Sequence, residues 1–201
     1  MDFSLIETLR WQPETGFLRL DQHLRRLARS ADALGFRQPQ DPKGKLEKEV
    51  TGEAALRVRL VMSFRGKMEI TATPFEAEPE EKVWRLKIAK TRLQSEDSLF
   101  RHKTSRRDPY EAARAEFAKD EADEVILLNE RDEVCEGTIT NVFAEAADGT
   151  LLTPPLTGVL RAELIRERKA RGEVLKLDDL RHRRLFVGNS LRGLIRAELI
   201  E

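Results

Sequence analysis

Leu56, Val58, Leu60 and Met62 alternate with Arg57, Arg59 and Val61, and Arg65-Gly66 then turns the chain. Met68, Ile70 and Ala72 alternate again on the return. Side chains along a strand point to opposite faces in turn, so this pattern predicts an antiparallel hairpin with one buried and one solvated face. The opening Phe3 to Leu9 also has β-compatible alternation. Glu14-Thr15-Gly16 supplies a turn, and Phe17-Leu18-Arg19-Leu20 is expected to return as a second strand. Asp21 is the expected cap of a helix, because Leu24, Leu27, Ala28, Ala31 and Leu34 recur at helical spacing before Gly35. A short charged helix is expected near Lys45 to Val50, a solvated connection over Glu76 to Glu81, and a strand through Trp84, Leu86 and Ile88.

Thr91 to Leu99 is polar without strong periodicity and reads as a linker. Asp108-Pro109 is a good cap and first-turn pair for a helix running through Lys119. Val125 to Leu128 reads as a short buried strand, and Val134 onward as a hairpin turning at Asp148-Gly149. Leu160 to Arg171 reads as a helix ending at Gly172, and Leu185-Phe186-Val187 as a strand entering Gly188-Asn189-Ser190. The expected organisation is an α/β (α+β) chain of two lobes. Residues 1–92 form a small N-terminal lobe, 93–100 a linker, and 101–201 a larger C-terminal lobe.

Composition narrows the function. Lys+Arg and Asp+Glu each number 36, so the formal net charge is zero. Such a balance gives no reason to expect nucleic acid as the main partner. The single cysteine, Cys135, allows no disulfide within the chain, as fits a reducing cytoplasm. With three histidines and one cysteine, a structural zinc cluster is not expected. No apolar run reaches membrane-spanning length, and the N-terminus lacks a signal-peptide pattern. The expectation is a soluble cytoplasmic protein.

The residues suited to chemistry follow an order. Lys103 stands in His102-Lys103-Thr104-Ser105-Arg106-Arg107, where Arg101, Arg106 and Arg107 are neighbouring cations. A lysine becomes nucleophilic when burial or nearby positive charge destabilises its ammonium form. About thirty positions later, Glu136 leads Gly137-Thr138-Ile139-Thr140-Asn141-Val142-Phe143. A Schiff-base lysine followed by such an acid is what one pyridoxal-phosphate (PLP) architecture needs: the amine holds the aldehyde and the acid holds the pyridine nitrogen. Arg26, on the first expected helix, has geometry suited to a phosphate. Leu156-Thr157-Gly158-Val159-Leu160 before a helix and Gly188-Asn189-Ser190 after a strand are two turns whose N–H groups can receive an anion.

These motifs resemble the fold-type IV PLP enzymes, the class IV aminotransferases, over nearly the whole chain. The likeness runs through Ile6-Glu7-Thr8-Leu9, His23-Leu24-Arg25-Arg26-Leu27, His102-Lys103-Thr104, Asp123-Glu124-Val125, Glu136 to Phe143, Thr153-Pro154-Pro155-Leu156 and Val187 to Leu194. Within that family the chain is most similar to the 4-amino-4-deoxychorismate lyases, including the lyase-like domain fused to aminodeoxychorismate synthase component I. The resemblance implies that Lys103 binds the cofactor aldehyde and Glu136 its ring nitrogen. It gives the phosphate to Arg26, Gly158, Val159, Leu160, Asn189 and Ser190. Arg107, Thr138 and Asn141 are the expected substrate contacts. It also implies a homodimer, and elimination of pyruvate from 4-amino-4-deoxychorismate to give 4-aminobenzoate for folate synthesis. An aminotransferase of the D-amino acid or branched-chain type, or a non-catalytic member keeping the fold, are the alternatives. Two features depart from the family pattern. The loop after Pro155 is short, and Tyr110 falls later than the tyrosine that many members carry a few residues after the lysine.

Overall fold

The computed structural model describes residues 2–200. The chain forms two compact units, one comprising the chain up to Ala77 with His102–Arg106, the other Glu78–Arg101 with the chain from Arg107 onward.

The first unit contains β1 (Leu5–Gln12), β2 (Gly16–Phe17), α1 (Leu20–Ala33), α2 (Pro42–Lys48), β3 (Leu56–Met62) and β4 (Met68–Pro74). Its strands order β2-β1-β3-β4, with antiparallel pairing throughout. The hairpin takes the register Leu60↔Ile70 and Met62↔Met68. Gly66 in its turn adopts φ +80°, a conformation that L side chains rarely adopt. Leu5, Leu9, Val58, Leu60 and Met62 pack on Leu27 and Ala31 of α1 and on Leu46 of α2. The apolar alternation is therefore the buried face, with α1 among the elements covering it. Three expectations are corrected in this unit. The second strand is only two residues long, because Leu20 already opens α1. Arg19, at φ 58°, is the cap of that helix; Asp21 sits in the first turn, where its charge still favours the positive helix end. Helix α2 begins at Pro42, earlier than expected, because the Asp41 side chain accepts the Gly44 N–H at 3.0 Å.

The second unit contains β5 (Val83–Leu93), a 3₁₀ turn (Ser98–Arg101), α3 (Asp108–Ala115), β6 (Glu124–Asn129), β7 (Val134–Gly137), β8 (Asn141–Glu145), β9 (Leu151–Thr153), α4 (Val159–Arg166), β10 (Ala170–Gly172), α5 (Leu177–Arg181), β11 (Leu185–Asn189) and β12 (Gly193–Leu199). Eight strands order β10-β9-β8-β11-β12-β5-β6-β7. Every residue of β6 is buried, as its continuous apolar run requires of a strand covered on both faces.

The expected lobe boundary moves. Strand β5, placed by the sequence in the N-terminal lobe and linker, pairs in parallel with β6 and β12. The segment carrying Lys103 belongs instead with the first unit, where Leu5 bridges Thr104. Helix α3 ends at Ala115, short of Lys119. Helix α4 ends at Arg166 rather than Arg171. The left-handed Arg168 turns the chain, and Ala170–Gly172 then pairs beside β9. The strand expected from Val134 is interrupted at 138–140, and the hairpin turning at Asp148-Gly149 is β8–β9.

Candidate active site

In the first unit, β1 and α1 face each other through polar as well as apolar side chains. His23, Leu27, Ser30 and Ala31 are the buried residues of α1, a spacing that places them on one stripe of the helix. Glu7, on β1, is only 1% exposed. Its Oε1 accepts from Arg26 Nε at 2.8 Å and its Oε2 from Arg26 Nη2 at 2.5 Å. His23 Nδ1 lies 2.6 Å from Oε2 and must donate, since an ionised carboxylate only accepts. Burial alone would raise the Glu7 pKa, but the Arg26 charge and the hydrogen bonds from Arg26 and His23 bring it down to about 2. Burial holds His23 below its ordinary value despite Glu7. Arg26, the expected phosphate contact, is thus oriented by a buried acid. The Lys103 carbonyl accepts from Ile6 N at 2.9 Å, and His102 Nδ1 hydrogen-bonds Ser30 Oγ at 2.9 Å. These bonds anchor the Lys103 backbone to β1 and its neighbour to α1, within the unit that carries Arg26.

In the second unit, Glu136 lies on β7 opposite Leu127 of β6. Tyr110, in the first turn of α3, donates its hydroxyl to Glu136 Oε1 at 2.6 Å. Burial first, and then the Glu136 charge, push the Tyr110 pKa far upward, so the phenol keeps its proton. Arg107 stacks its guanidinium over the Tyr110 ring, 4.6 Å from the centroid, and donates to the Thr138 carbonyl.

The turn after Glu136 is built on a residue to which the sequence reading gave no role. Glu124, at the start of β6 and 1% exposed, accepts from Thr138 N (2.9 Å), Thr138 Oγ1 (2.5 Å), Ile139 N (3.0 Å), Thr140 Oγ1 (2.8 Å) and Val125 N (2.9 Å). One carboxylate therefore gathers the donors of the β7–β8 turn. The available signal was an acid heading an otherwise apolar strand, paired with a Thr-x-Thr turn.

The Thr138 hydroxyl is bonded to Glu124 within the fold. Asn141 is buried and donates from Nδ2 to the Thr157 carbonyl at 3.3 Å. A Cβ on Gly158 would collide with Asn141 Oδ1, so glycine is required where the loop meets β8. Gly158 is the cap of α4, and no side chain caps that helix start; Val159 and Leu160 are buried in its first turn. At the β11–β12 turn, Asn189 Oδ1 accepts from Leu191 N (3.1 Å) and Arg192 N (3.0 Å), while its Nδ2 donates to the Ile139 carbonyl at 3.0 Å. Those two N–H groups are bonded inside the protein. Strand pairing of Asn141 with Gly188 brings the β7–β8 and β11–β12 turns to one end of the sheet, where Asn141 also meets the start of α4. The second unit thus assembles Glu136, Tyr110, Arg107, Gly158–Leu160, Asn189 and Ser190, and the first unit assembles Lys103 and Arg26.

Comparison with known proteins agrees with this architecture. The model of the amino-transferase class IV family matches residues 4–200. A crystal structure from Mesorhizobium loti, provisionally named an amino-acid aminotransferase, is 50% identical, with a TM-score of 0.95 over 99% of this chain and 100% of that one. A structure provisionally named a 4-amino-4-deoxychorismate lyase is 26% identical, with a TM-score of 0.83 over 97% of this chain and 84% of the other. A hypothetical aminotransferase from Mycobacterium tuberculosis, in PLP-bound form, shares the fold at 20% identity, with a TM-score of 0.82 over 98% of this chain and 81% of that one. No curated protein matches significantly.

Proposed function

This chain belongs to the class IV aminotransferase family, whose enzymes depend on PLP, and we propose that Lys103 and Glu136 carry its chemistry. The observation behind the proposal is the Glu136 carboxylate, held at one oxygen by the buried Tyr110 hydroxyl at 2.6 Å. An ionised acid kept in place this way suits a protonated ring nitrogen. The other residues also fit the cofactor by donor chemistry. Lys103 would hold the aldehyde; Arg26, oriented by Glu7, and the start of α4 would hold the phosphate. When bound, PLP supplies an electron sink for breaking a bond at an amine-bearing carbon.

Lys103 Nζ is then the base that takes the proton from that carbon. Glu136 keeps its charge opposite the ring nitrogen and so favours the sink. Substrates are small molecules with a primary amine. For the fate of the substrate we propose loss of pyruvate from 4-amino-4-deoxychorismate. Departure of the enolpyruvyl group and aromatisation of the ring leave 4-aminobenzoate. Support comes from the ordered motifs ending in Val187 to Leu194 and from the 26% likeness to a structure provisionally named as such a lyase. The second reading is amino-acid transamination, favoured by the 50% identity to the Mesorhizobium loti protein.

One assay separates the two. PLP-loaded protein incubated with 4-amino-4-deoxychorismate and no keto acid should release pyruvate. Turnover of amino acids that strictly requires 2-oxoglutarate, with no pyruvate released, would establish transamination instead. Lys103→Ala should abolish either reaction and the visible absorbance of the loaded protein.

A further inference from the structure

Tyr110 is the chain's single tyrosine. It lies in a cluster with Ala89, Leu93, Ala113, Ala122, Val125 and Leu127, and Phe100 meets its ring edge-on at 6.0 Å. A phenylalanine would fill this space with no hydroxyl to satisfy. The hydroxyl instead reaches out of the cluster to Glu136 Oε1 at 2.6 Å, while Arg107 covers the ring face and ties the same group to the Thr138 carbonyl. Buried phenols commonly find a backbone carbonyl or water; this one meets a carboxylate. A hydroxyl donating to one oxygen favours the ionised acid and fixes the plane of the carboxylate.

We infer that Tyr110 is a positioning residue for Glu136: by holding Oε1 it sets the orientation and basicity with which the carboxylate meets a protonated aromatic nitrogen. This deepens the reading of Glu136 given above and rests on it. The charged and titratable groups around the phenol are Glu136 and Cys135 on β7 and Arg107 before α3. In this arrangement Arg107 acts by steadying the ring and the β7–β8 turn.

The test uses PLP-loaded protein and reads the pH titration of its visible absorption band, together with PLP affinity. Glu136→Gln should move the titration midpoint and weaken PLP binding. Tyr110→Phe should move the midpoint in the same direction by a smaller amount and weaken PLP about tenfold, as loss of a hydrogen bond to a charged group does. Because the chain has one tyrosine, growth on 3-fluorotyrosine labels position 110 alone without emptying the site. Its more acidic hydroxyl donates more strongly and should move the midpoint the opposite way. The ¹⁹F resonance should shift when PLP binds the wild type and much less in Glu136→Gln. The inference is overturned if Glu136→Gln moves the midpoint while Tyr110→Phe and the fluorotyrosine protein both titrate like wild type. The fluorotyrosine arm decides alone if Tyr110→Phe does not fold. If Glu136→Gln itself leaves the band and the affinity unchanged, it is the assignment of Glu136 that fails.

Discussion

Glu7 is ionised in a place where an isolated carboxylate would not be, because Arg26 and His23 surround it. Its folded pKa of about 2 lies below the ordinary 4.5. The pair therefore stabilises the fold fully above pH 4.5, and that contribution is lost as pH falls toward 2, on the order of 3 kcal/mol in all. His23 acts in the same direction but earlier: held below 6.5, it favours the unfolded chain as pH drops beneath that value. Urea midpoints should thus decline between pH 7 and pH 3. Glu7→Gln should lower stability at pH 7 by about 3 kcal/mol, as breaking a buried pair does, and should flatten the part of the slope below pH 4.5. A slope unchanged in the variant would mean that the acid does not titrate as described. Lys103, Glu136 and Arg26 could be put forward as candidates from residue type and order. Glu7, Tyr110 and Glu124 could not, since their partners lie 14 to 26 positions away and adjacency in space leaves no local mark.

At the scale of elements, the turns at the end of the second sheet are held by side chains more than by turn sequence. Glu124→Ala should leave the Ile139 N–H and the Thr138 and Thr140 hydroxyls without their acceptor, while the Thr138 N–H keeps the Val125 carbonyl at 3.0 Å. The expected cost is about 2–4 kcal/mol, from several buried donors left unsatisfied. Hydrogen exchange should accelerate most at Ile139; exchange faster everywhere but there would contradict the assignment. Gly158→Ala places a methyl group on Asn141 Oδ1. A loss of about 1–3 kcal/mol in thermal unfolding is expected, as for overpacking. Adding Asn141→Ala should recover part of it, and additive losses would show that the two sites do not meet. Most strands and helices could be read from apolar period. Their ends could not: α1 is capped by a left-handed arginine, and α4 stops early so that Ala170–Gly172 can pair beside β9.

For the whole molecule, the two units are not the two halves of the chain. Parallel pairing of β5 with β6 and β12 takes that strand into the second unit, and His102–Arg106 returns to the first. Among the described residues, no helix is long and apolar enough to cross a membrane. The family resemblance leads us to propose a homodimer, which sedimentation velocity would show as a species of about twice 23.1 kDa; a concentration-independent monomer would contradict it. With 36 cationic and 36 acidic side chains, solubility should pass through a minimum near neutral pH and rise on either side. A flat profile from pH 5 to 9 would run against that charge balance.

Alternation and helical spacing along the chain were enough to determine the mixed α/β character and the buried face of the β3–β4 hairpin, while residue type and order were enough to put Lys103, Glu136 and Arg26 forward as candidates. Each of these depends on interactions between near neighbours or on residue chemistry alone. Strand order, the assignment of β5 and of the Lys103 segment, and the partners of Glu136 and Arg26 were decided only in three dimensions. They arise from pairings between residues far apart in sequence, whose energies depend on geometry that no local pattern encodes.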